Sequence, residues 1–422
     1  MEYLTGQFQK ESNKGIFGAK KVIMSISIKQ RHIKTLIIVL SFFFLPACAQ
    51  RLVVGHSNYP ELKLTRSVEF HDSLGKEGLG QACLRQLEVL DRLLVVNNLS
   101  AEKIAYYEEM ADITRTILSG LDSPDFGRFV QDNFDFYRSG KNDSVLFTGY
   151  YTPLLYGSRE KDERYQYPVY GLPEDLIFVD LEKFGKSGKI KGAVKGRELV
   201  PYYRREEIEN KVGFKQNPLL YVDDKVALFF LHIQGSGIVQ MQDGSMIRLN
   251  YADNNGFSYV SIGRQLISDN EIQREQMSME AIREYFQKNP EKIDHYFNKN
   301  PSYVFFKEDS GGPFGSSGAV VTPSRSIAAD ANYFPKYGLA YIETEIPVSK
   351  NEDGSVRTTT FSALAFDQDS GGAIKGAGRV DIYFGEGEEA AFRAGFMKNE
   401  GNIYYLKKKK REQLSSSSLP LR

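Results

Sequence analysis

The sequence has 422 residues, 41% of them hydrophobic and 26% charged, a balance typical of a soluble globular protein of one or two domains. Lysine plus arginine equals aspartate plus glutamate at 54 each, so no excess of positive charge points to a nucleic-acid partner. There is no tryptophan, but there are 25 tyrosines and 28 phenylalanines. Stacking on a sugar would therefore use tyrosine or phenylalanine rings.

Residues 1–48 have the pattern of an export signal. In SIKQRHIKTLIIVLSFFFLPACAQ a basic stretch precedes an apolar run, Thr35–Phe44, which is too short to span a membrane but is typical of a signal peptide. The residues before Met24 fit no signal pattern, so Met24 is a candidate for the true start. We predict that the protein leaves the cytoplasm.

The two cysteines have different predicted roles. Cys48 ends the sequence Leu-Pro-Ala-Cys, which is similar to the lipobox of bacterial lipoproteins except for Pro46. We expect lipidation of Cys48, with plain secretion as the alternative. By analogy with Gram-negative sorting, Ala49 favours the periplasmic face of the outer membrane. Cys83 then has no disulfide partner, and we predict a buried thiol.

Helical periodicity dominates residues 79–134. Apolar residues recur at three-and-four spacing in QACLRQLEVLDRLLVV, SAEKIAYYEEMADITRTILSGL and SPDFGRFVQDNF, which predicts three helices. Ser100 and Ser123 are the predicted N-caps of the second and third helices.

Short β-type runs follow, beginning with SVLFTGYYTPLLYGS. The region KVALFFLHIQGSGIVQMQDGSMIRLNYADNNGFSYVSI is predicted to form strands, with a hairpin turn at Asp243–Gly244. Two helices are predicted in MSMEAIREYFQKN and EKIDHYFNKN, each bounded by Asn-Pro. Strands resume at SYVFFK and continue to NIYYLKKK, interrupted by a helix in GEEAAFRAGF, and the tail 412–422 is expected to be disordered. This order predicts an α+β, mainly β protein with β-barrel units.

Several motifs suggest chemistries that the rest of the chain does not support. Asp309–Pro313 resembles the nucleophile segment of trypsin-like proteases, but the triad partners are missing upstream, and His232 is interpreted as a strand residue. Asp309 and Asp369 each begin Asp-Ser-Gly, as in aspartic proteases, yet charged residues precede both. The five histidines and two cysteines show no metal-ligand spacing. We therefore expect no metal and no cofactor.

Four segments in order carry a family resemblance: FTGYYTP (Phe147–Pro153), LHIQGSG (Leu231–Gly237), NPSYVFF (Asn300–Phe306) and the block TPSRSIAAD … DSGGAIKGAGRVDIYFGEGEEA. Together they resemble the membrane-bound lytic transglycosylase A (MltA) family. The last block is similar to the three-aspartate (3D) domain of that family, with Asp330, Asp369 and Asp381.

The resemblance implies two domains with a deep groove between them. Domain 1 would combine residues 49–155 and 300–411, and would consist of N-terminal helices and a double-psi β-barrel with its 3D region at about 313–406. Residues 156–299 would form an inserted, smaller β domain specific to the family.

The resemblance also implies an enzyme of cell-wall turnover, a carbon–oxygen lyase that cleaves the β-1,4 bond between N-acetylmuramic acid and N-acetylglucosamine and leaves 1,6-anhydromuramic ends. Its partners would be peptidoglycan glycan strands and, through the lipid, a membrane, but not nucleic acid. One carboxyl group suffices for this reaction, because it can donate a proton to the glycosidic oxygen and then accept the proton of the sugar's C6 hydroxyl. The family motif puts this acid/base at Asp381, in RVDIYFG.

Alternation along a strand puts Arg379, Asp381 and Tyr383 on one face. An adjacent arginine favours an ionised carboxylate, whereas a general acid must hold its proton, so we expect Arg379 to be angled away. Asp369 is expected to orient the catalytic site, with a turn-forming role as the alternative, and Asp330 is expected to be structural.

The remaining candidates are predicted sugar contacts: Tyr150, Tyr151, Thr152, Gln234, Ser236, Gly237, Lys375 and Tyr383. Neighbours in a strand face opposite ways, so one of the two adjacent tyrosines is expected in a core. Lys375 would meet a substrate carboxylate or lie in a solvated loop. The glycines of SGGAIKGAG would let a glycan strand come close to the backbone.

Two other functions stay open at this stage. A hydrolytic β-glycanase of the related barrel type would use Asp369 as a second carboxylate. A peptidoglycan-binding protein would share the fold and lack activity.

Overall fold

The computed structural model describes residues 62–65, 68–139 and 144–410. The predicted signal segment with Cys48, and the tail 412–422, lie outside the described residues. The described helices are α1 (Leu79–Leu94), α2 (Ala101–Gly120), α3 (Phe126–Asn133), α4 (Arg205–Glu209), α5 (Lys225–Gln234), α6 (Ile262–Ser268), α7 (Met279–Lys288), α8 (Ile293–Phe297) and α9 (Gly387–Phe396). Among these described helices none combines the length and apolar character needed to cross a bilayer.

The described strands are β1 (Leu62–Thr65), β2 (Phe134–Ser139), β3 (Val145–Thr152), β4 (Leu154–Ser158), β5 (Tyr167–Tyr170), β6 (Ile177–Asp180), β7 (Lys189–Lys195), β8 (Glu198–Pro201), β9 (Pro218–Val222), β10 (Ser236–Met241), β11 (Met246–Asn254), β12 (Val304–Glu308), β13 (Ser326–Ala328), β14 (Leu339–Lys350), β15 (Val356–Asp369), β16 (Arg379–Glu386) and β17 (Lys398–Lys408). Short 3-10 helices lie at Leu181–Phe184, Arg274–Gln276 and Pro290–Lys292.

Six strands close into a barrel in the order β17-β14-β15-β13-β16-β3, because β3 pairs back onto β17. Alternate residues of these strands point inward, so Val380 and Ile382 of β16 are fully buried in the barrel core with Phe147 of β3. β1 and β2 extend the sheet beside β17. The predicted α+β, mainly β fold with a barrel is confirmed.

Helices α1 to α3 form a second hydrophobic core against the outer face of β14 and β15. Cys83 is fully buried there, as predicted, and burial raises the pKa of its thiol to about 12. Ser100 caps α2 by accepting a hydrogen bond from the Lys103 amide. The prediction for Ser123 is wrong, because Asp125 caps α3 and Ser123 donates to the carbonyl of Asp125 instead.

A second sheet has the order β12-β11-β10-β4-β9-β5. The predicted hairpin at Asp243–Gly244 joins β10 to β11, and Gly244 takes the required positive φ of 84°. The strand predicted before it is wrong: residues 225–234 form α5, capped by Asp224, which accepts from two amides. A continuous apolar run fits a buried helix as well as a buried strand. His232 is thus a buried helix residue, and neither ring nitrogen has a hydrogen-bond partner among the described residues.

The second sheet and its helices are joined to the barrel by polar contacts near the ends of β3 and β16. Arg248 of β11 pairs with Glu386 of β16, with 2.5 Å between Nη1 and Oε1. The Tyr151 hydroxyl accepts from Arg283 of α7 at 3.2 Å, and the Tyr151 amide donates to Gln234 Oε1 at 3.1 Å. Contacts from α5 and α7 therefore fix Tyr151 near the end of β3.

Candidate active site

The parallel pairing of β3 and β16 builds the face on which Asp381 lies. Asp381 is opposite Thr148, and Tyr383 is opposite Tyr150. Residues at alternate positions of a strand share a face, so these four side chains lie together, while Val380 and Phe147 point into the barrel core. Asp381 is only 8% exposed.

Two neighbours hold the Asp381 carboxylate. The Thr148 hydroxyl donates to Oδ1. Arg379 donates from Nε to Oδ1 at 3.0 Å and from Nη2 to Oδ2 at 3.2 Å. The expectation that Arg379 would be angled away is therefore wrong: residues two apart on a strand share a face, and Arg379 bonds Thr148 and the Ala373 carbonyl as well.

Asp369 ends β15 and is bound by backbone donors. Its Oδ1 accepts from the amides of Ser316 at 2.8 Å and Ser370 at 2.7 Å. Lys336 donates to the Asp369 carbonyl at 2.5 Å. Burial raises the pKa of the Asp369 carboxyl, and Lys336 opposes this rise.

Strand β13 separates the two carboxylates by two strand spacings. Ala328 pairs with Asp369 on one side and with Asp381 on the other. With neighbouring strands 4.7–4.9 Å apart, the two aspartate Cα atoms are roughly 10 Å apart. Both aspartates therefore lie on one face of the sheet.

The Tyr150 hydroxyl lies close to Asp369, and the charge of Asp381 also acts on it. It is buried and has no hydrogen bond of good geometry among the described residues. Burial keeps the pKa of Tyr150 well above its ordinary value. The negative charge of Asp369 is the next largest cause, and the charge of Asp381 adds a smaller effect. The Tyr150 ring contacts that of Tyr383, with 5.1 Å between centroids. The site therefore holds a neutral hydroxyl close to two acids.

A buried acid lies behind this face. Asp367 is fully buried, accepts from the Tyr405 hydroxyl at 2.9 Å, and has Lys336 Nζ at 3.7 Å from Oδ1. Burial raises the pKa of Asp367 to about 6. Lys336 therefore links Asp367 to the backbone of Asp369. The part of the chain described here contains no group of three His, Cys, Asp or Glu side chains able to hold a metal ion.

Comparison with known proteins identifies the family. The model of the MltA specific insert domain matches residues 146–307, and that of the 3D domain matches residues 325–407. Membrane-bound lytic murein transglycosylase A of Escherichia coli is 31% identical over 292 residues, which cover 68% of this chain and 73% of that protein. The chain belongs to the MltA family. The resemblance seen in four segments of the sequence is confirmed.

Solved MltA structures share the fold. A membrane-bound lytic murein transglycosylase from Agrobacterium tumefaciens has a TM-score of 0.67 at 23% identity, covering 82% of this chain and 98% of that one. E. coli MltA with bound chitohexaose has a TM-score of 0.62 at 26% identity, covering 83% and 95%.

Asp330, the first aspartate of the MltA three-aspartate block, holds the glycine-rich loop that precedes β16. Its Oδ2 accepts from the Gly376 amide at 2.8 Å and its Oδ1 from the Asn332 amide at 3.0 Å. Burial disfavours its charge, but these donors outweigh burial and lower its pKa. Lys375 is exposed in the same loop. A Cβ on Gly376 or Gly378 would meet no atom within 4 Å, so the loop backbone borders open space.

The other predicted site residues divide into two groups. Thr152 and Tyr383 are buried on the same strand face as Asp381 and bond each other through their hydroxyls at 2.8 Å. Tyr151 packs in the barrel core, as expected for one of the adjacent tyrosines, and lies outside the candidate site. Gln234 and Ser236 lie at the junction with the second sheet. Gly237 is also there, and a Cβ on it would lie 2.4 Å from Leu231 Cδ1, so helix packing accounts for this glycine.

The sequence analysis did not single out three residues that lie at or behind the candidate site: Thr148, Lys336 and Asp367. Thr148 lies within the quoted FTGYYTP segment, two residues before Tyr150, and period-2 alternation would have put it on the same face. Lys336 and Asp367 carry no comparable signal, because their roles depend on which strands become neighbours.

Proposed function

We propose that this MltA-family chain is a lytic transglycosylase that cleaves the glycan strands of peptidoglycan. The observation that carries the proposal is the placement of one acid, Asp381, on a buried strand face with Thr148 and Arg379 bonded to it. The name of the E. coli relative and the glycan bound to its solved structure support the substrate class.

In the proposed reaction Asp381 acts first as acid and then as base. Its proton passes to the glycosidic oxygen as the C1–O4 bond breaks. The resulting carboxylate takes the proton of the muramic acid C6 hydroxyl while O6 bonds to C1. The products are a free O4 hydroxyl and a 1,6-anhydro end, and Asp381 is again protonated. No water enters this balance.

The contacts of Asp381 favour the first half of this cycle, in which Asp381 gives up its proton. Arg379 and Thr148 stabilise the carboxylate that remains after the proton has left. They therefore assist proton donation and oppose proton uptake. Uptake is driven by the C6 hydroxyl, which becomes a strong proton donor only as its oxygen bonds to C1.

Asp369 and Tyr150 have an orienting role in this proposal. Asp369 Oδ1 is bound by two amides, and Tyr150 brings a neutral hydroxyl beside it. The hydrolytic alternative instead requires Asp369 to activate a water as general base.

We also propose the domain division and the location. Separate hydrophobic cores support an inserted domain, proposed at 156–299, distinct from a barrel domain proposed at 49–155 and 300–411. Leu155, Val304 and Phe306 pack in the core of the second sheet, so both boundaries of the insert extend outward by several residues. The lipobox-like sequence supports lipidation of Cys48 and the periplasmic face of the outer membrane.

Muropeptide analysis tests the activity. Purified sacculi are digested with the wild type, with Asp381→Asn and with Asp309→Asn, a control at an aspartate outside the candidate site. We expect the wild type and the control to release anhydromuropeptides and Asp381→Asn to release them at least about a hundredfold more slowly. Full activity of Asp381→Asn would contradict the assignment of the acid, and no release by the wild type would favour a binding protein.

A further inference from the structure

The small sheet formed by β6, β7 and β8 has an inverted pattern of polar and apolar residues. An antiparallel sheet with one solvated face normally turns its apolar residues inward. In β7, Lys191 and Ala193 point inward: Lys191 pairs with Asp253, and Ala193 packs in a hydrophobic core. Ile190 and Val194 alternate with them and therefore point outward.

The outward face is apolar across all three strands. Cross-strand register joins Ile190 to Val179, and Val194 to Leu199, while Ile177 is opposite Gly192 on the same face. Four of these side chains are between 38% and 61% exposed: Ile177, Ile190, Val194 and Leu199. Contiguous apolar surface of this kind marks an interaction site.

Positive charge flanks this face at both ends. Lys183 and Lys186 lie in the β6–β7 connection, and Lys195 and Arg197 lie at the β7–β8 turn. All four are exposed, and within the described ranges none has a carboxylate within ion-pair distance, although Lys195 lies over the Tyr203 ring. The exposed Glu182 and Glu198 lie in the same two segments, so each end carries a net excess of one positive charge. Phe184, in the β6–β7 connection, is 71% exposed.

This chemistry selects one kind of occupant. The outward face itself carries aliphatic side chains, whereas glycan recognition uses aromatic stacking and polar groups. A second copy would bring the same positive ends together. Aliphatic side chains flanked by lysine and arginine match a surface of acyl chains beneath anionic headgroups.

We propose that the outer face of the β6–β8 sheet binds the surface of an anionic phospholipid bilayer. The inference rests on the proposed envelope location, not on the lytic activity. Cys48 precedes Leu62 by 14 residues, and an extended chain of that length reaches roughly 50 Å. A lipid and a basic apolar patch together hold a protein more firmly than either does alone.

Vesicle binding in a Cys48→Ala background tests the sheet without the lipid. The full chain is sedimented with vesicles of phosphatidylglycerol and phosphatidylethanolamine, or of phosphatidylcholine alone. We compare Ile190→Glu/Val194→Glu with a matched control, Val95→Glu/Val96→Glu, at exposed valines after α1. Circular dichroism and sacculus cleavage in solution verify that each variant is folded and active.

We expect binding to the anionic vesicles only, an at least tenfold weaker affinity of the Ile190→Glu/Val194→Glu variant, roughly the effect of losing 1.4 kcal/mol, and no change in the control. Absence of binding to anionic vesicles would overturn the proposal. Equal binding by both double variants would overturn it as well. A dimer in light scattering that the Ile190→Glu/Val194→Glu variant dissociates would assign the face to self-association instead.

Discussion

Replacing Asp367 by asparagine tests how the barrel accommodates a buried acid behind the candidate site. Asp367 is fully buried, accepts from Tyr405, and has no hydrogen-bond partner for Oδ1 among the described residues. Burial raises its pKa from 3.8 to about 6. An asparagine keeps the shape of the side chain and cannot ionise.

The sign of the effect follows from proton binding. Between about pH 4 and pH 6 the native Asp367 binds a proton that the unfolded chain does not. Wild-type stability therefore gains from Asp367 as the pH falls through this window. Above about pH 6 the native protein carries the buried charge in full. The difference between the two pKa values corresponds to about 3 kcal/mol.

We expect the free energy of unfolding of Asp367→Asn, relative to the wild type, to rise by roughly 2.4 kcal/mol between pH 4 and pH 7. The change of the stability difference with pH is the diagnostic quantity. Its absolute value is lowered because the variant also loses the attraction between Asp367 and Lys336. Urea unfolding followed by far-UV circular dichroism measures it in a chain without tryptophan.

Asp353→Asn is the matched control. Asp353 is an exposed turn residue whose pKa is lowered, chiefly by the Ser355 hydroxyl. Its stabilising contribution is present at neutral pH and lost on acidification, so this variant should show a small trend of opposite sign. A difference between Asp367→Asn and wild type that stays constant across the pH range would refute the reasoning.

The remaining predictions concern the proposed reaction and anchor. Asp381→Asn should lower sacculus cleavage by about 10²- to 10⁴-fold with unchanged circular dichroism, because an amide cannot donate and recover a proton; near wild-type turnover would contradict its role. Asp369→Asn should leave measurable activity if Asp369 orients the site, and complete loss would support a second catalytic carboxylate. Thr148→Val should lower the rate by roughly ten- to a hundredfold, as expected for one hydrogen bond to a charged group; an unchanged rate would count against it. Cys48→Ala should move the protein from the membrane to the soluble fraction at high salt, and continued sedimentation there would argue against lipidation.

Local patterns in the sequence predicted part of this site. Alternation along β16 correctly put Asp381 and Tyr383 on one face, and the Asp243–Gly244 turn gave the hairpin. The same alternation implied that Arg379 shares that face, but no local rule decides whether an arginine pairs with the acid two residues away. That choice depends on Thr148 and the Ala373 carbonyl, which offer further acceptors.

Long-range pairing accounts for most of what was missed. Thr148 meets Asp381 across 233 residues of sequence, through a parallel register that periodicity does not reveal. The run before Gln234 was predicted as strand because a fully apolar segment has no period, and the Asp224 cap was the available signal for a helix. Asp125, and not Ser123, caps α3 because Asp125 immediately precedes the first helical residue, whereas Ser123 lies two residues further upstream.

Digestion of sacculi in oxygen-18 water tests the central claim most directly. If the C6 hydroxyl is the nucleophile, no solvent oxygen enters the product, because an oriented intramolecular hydroxyl outcompetes bulk water by orders of magnitude. Mass spectrometry should then find unlabelled anhydro ends, each lighter by one water than a hydrolysis product. Predominantly labelled reducing ends would contradict the account and identify a hydrolase with Asp369 as its second carboxylate.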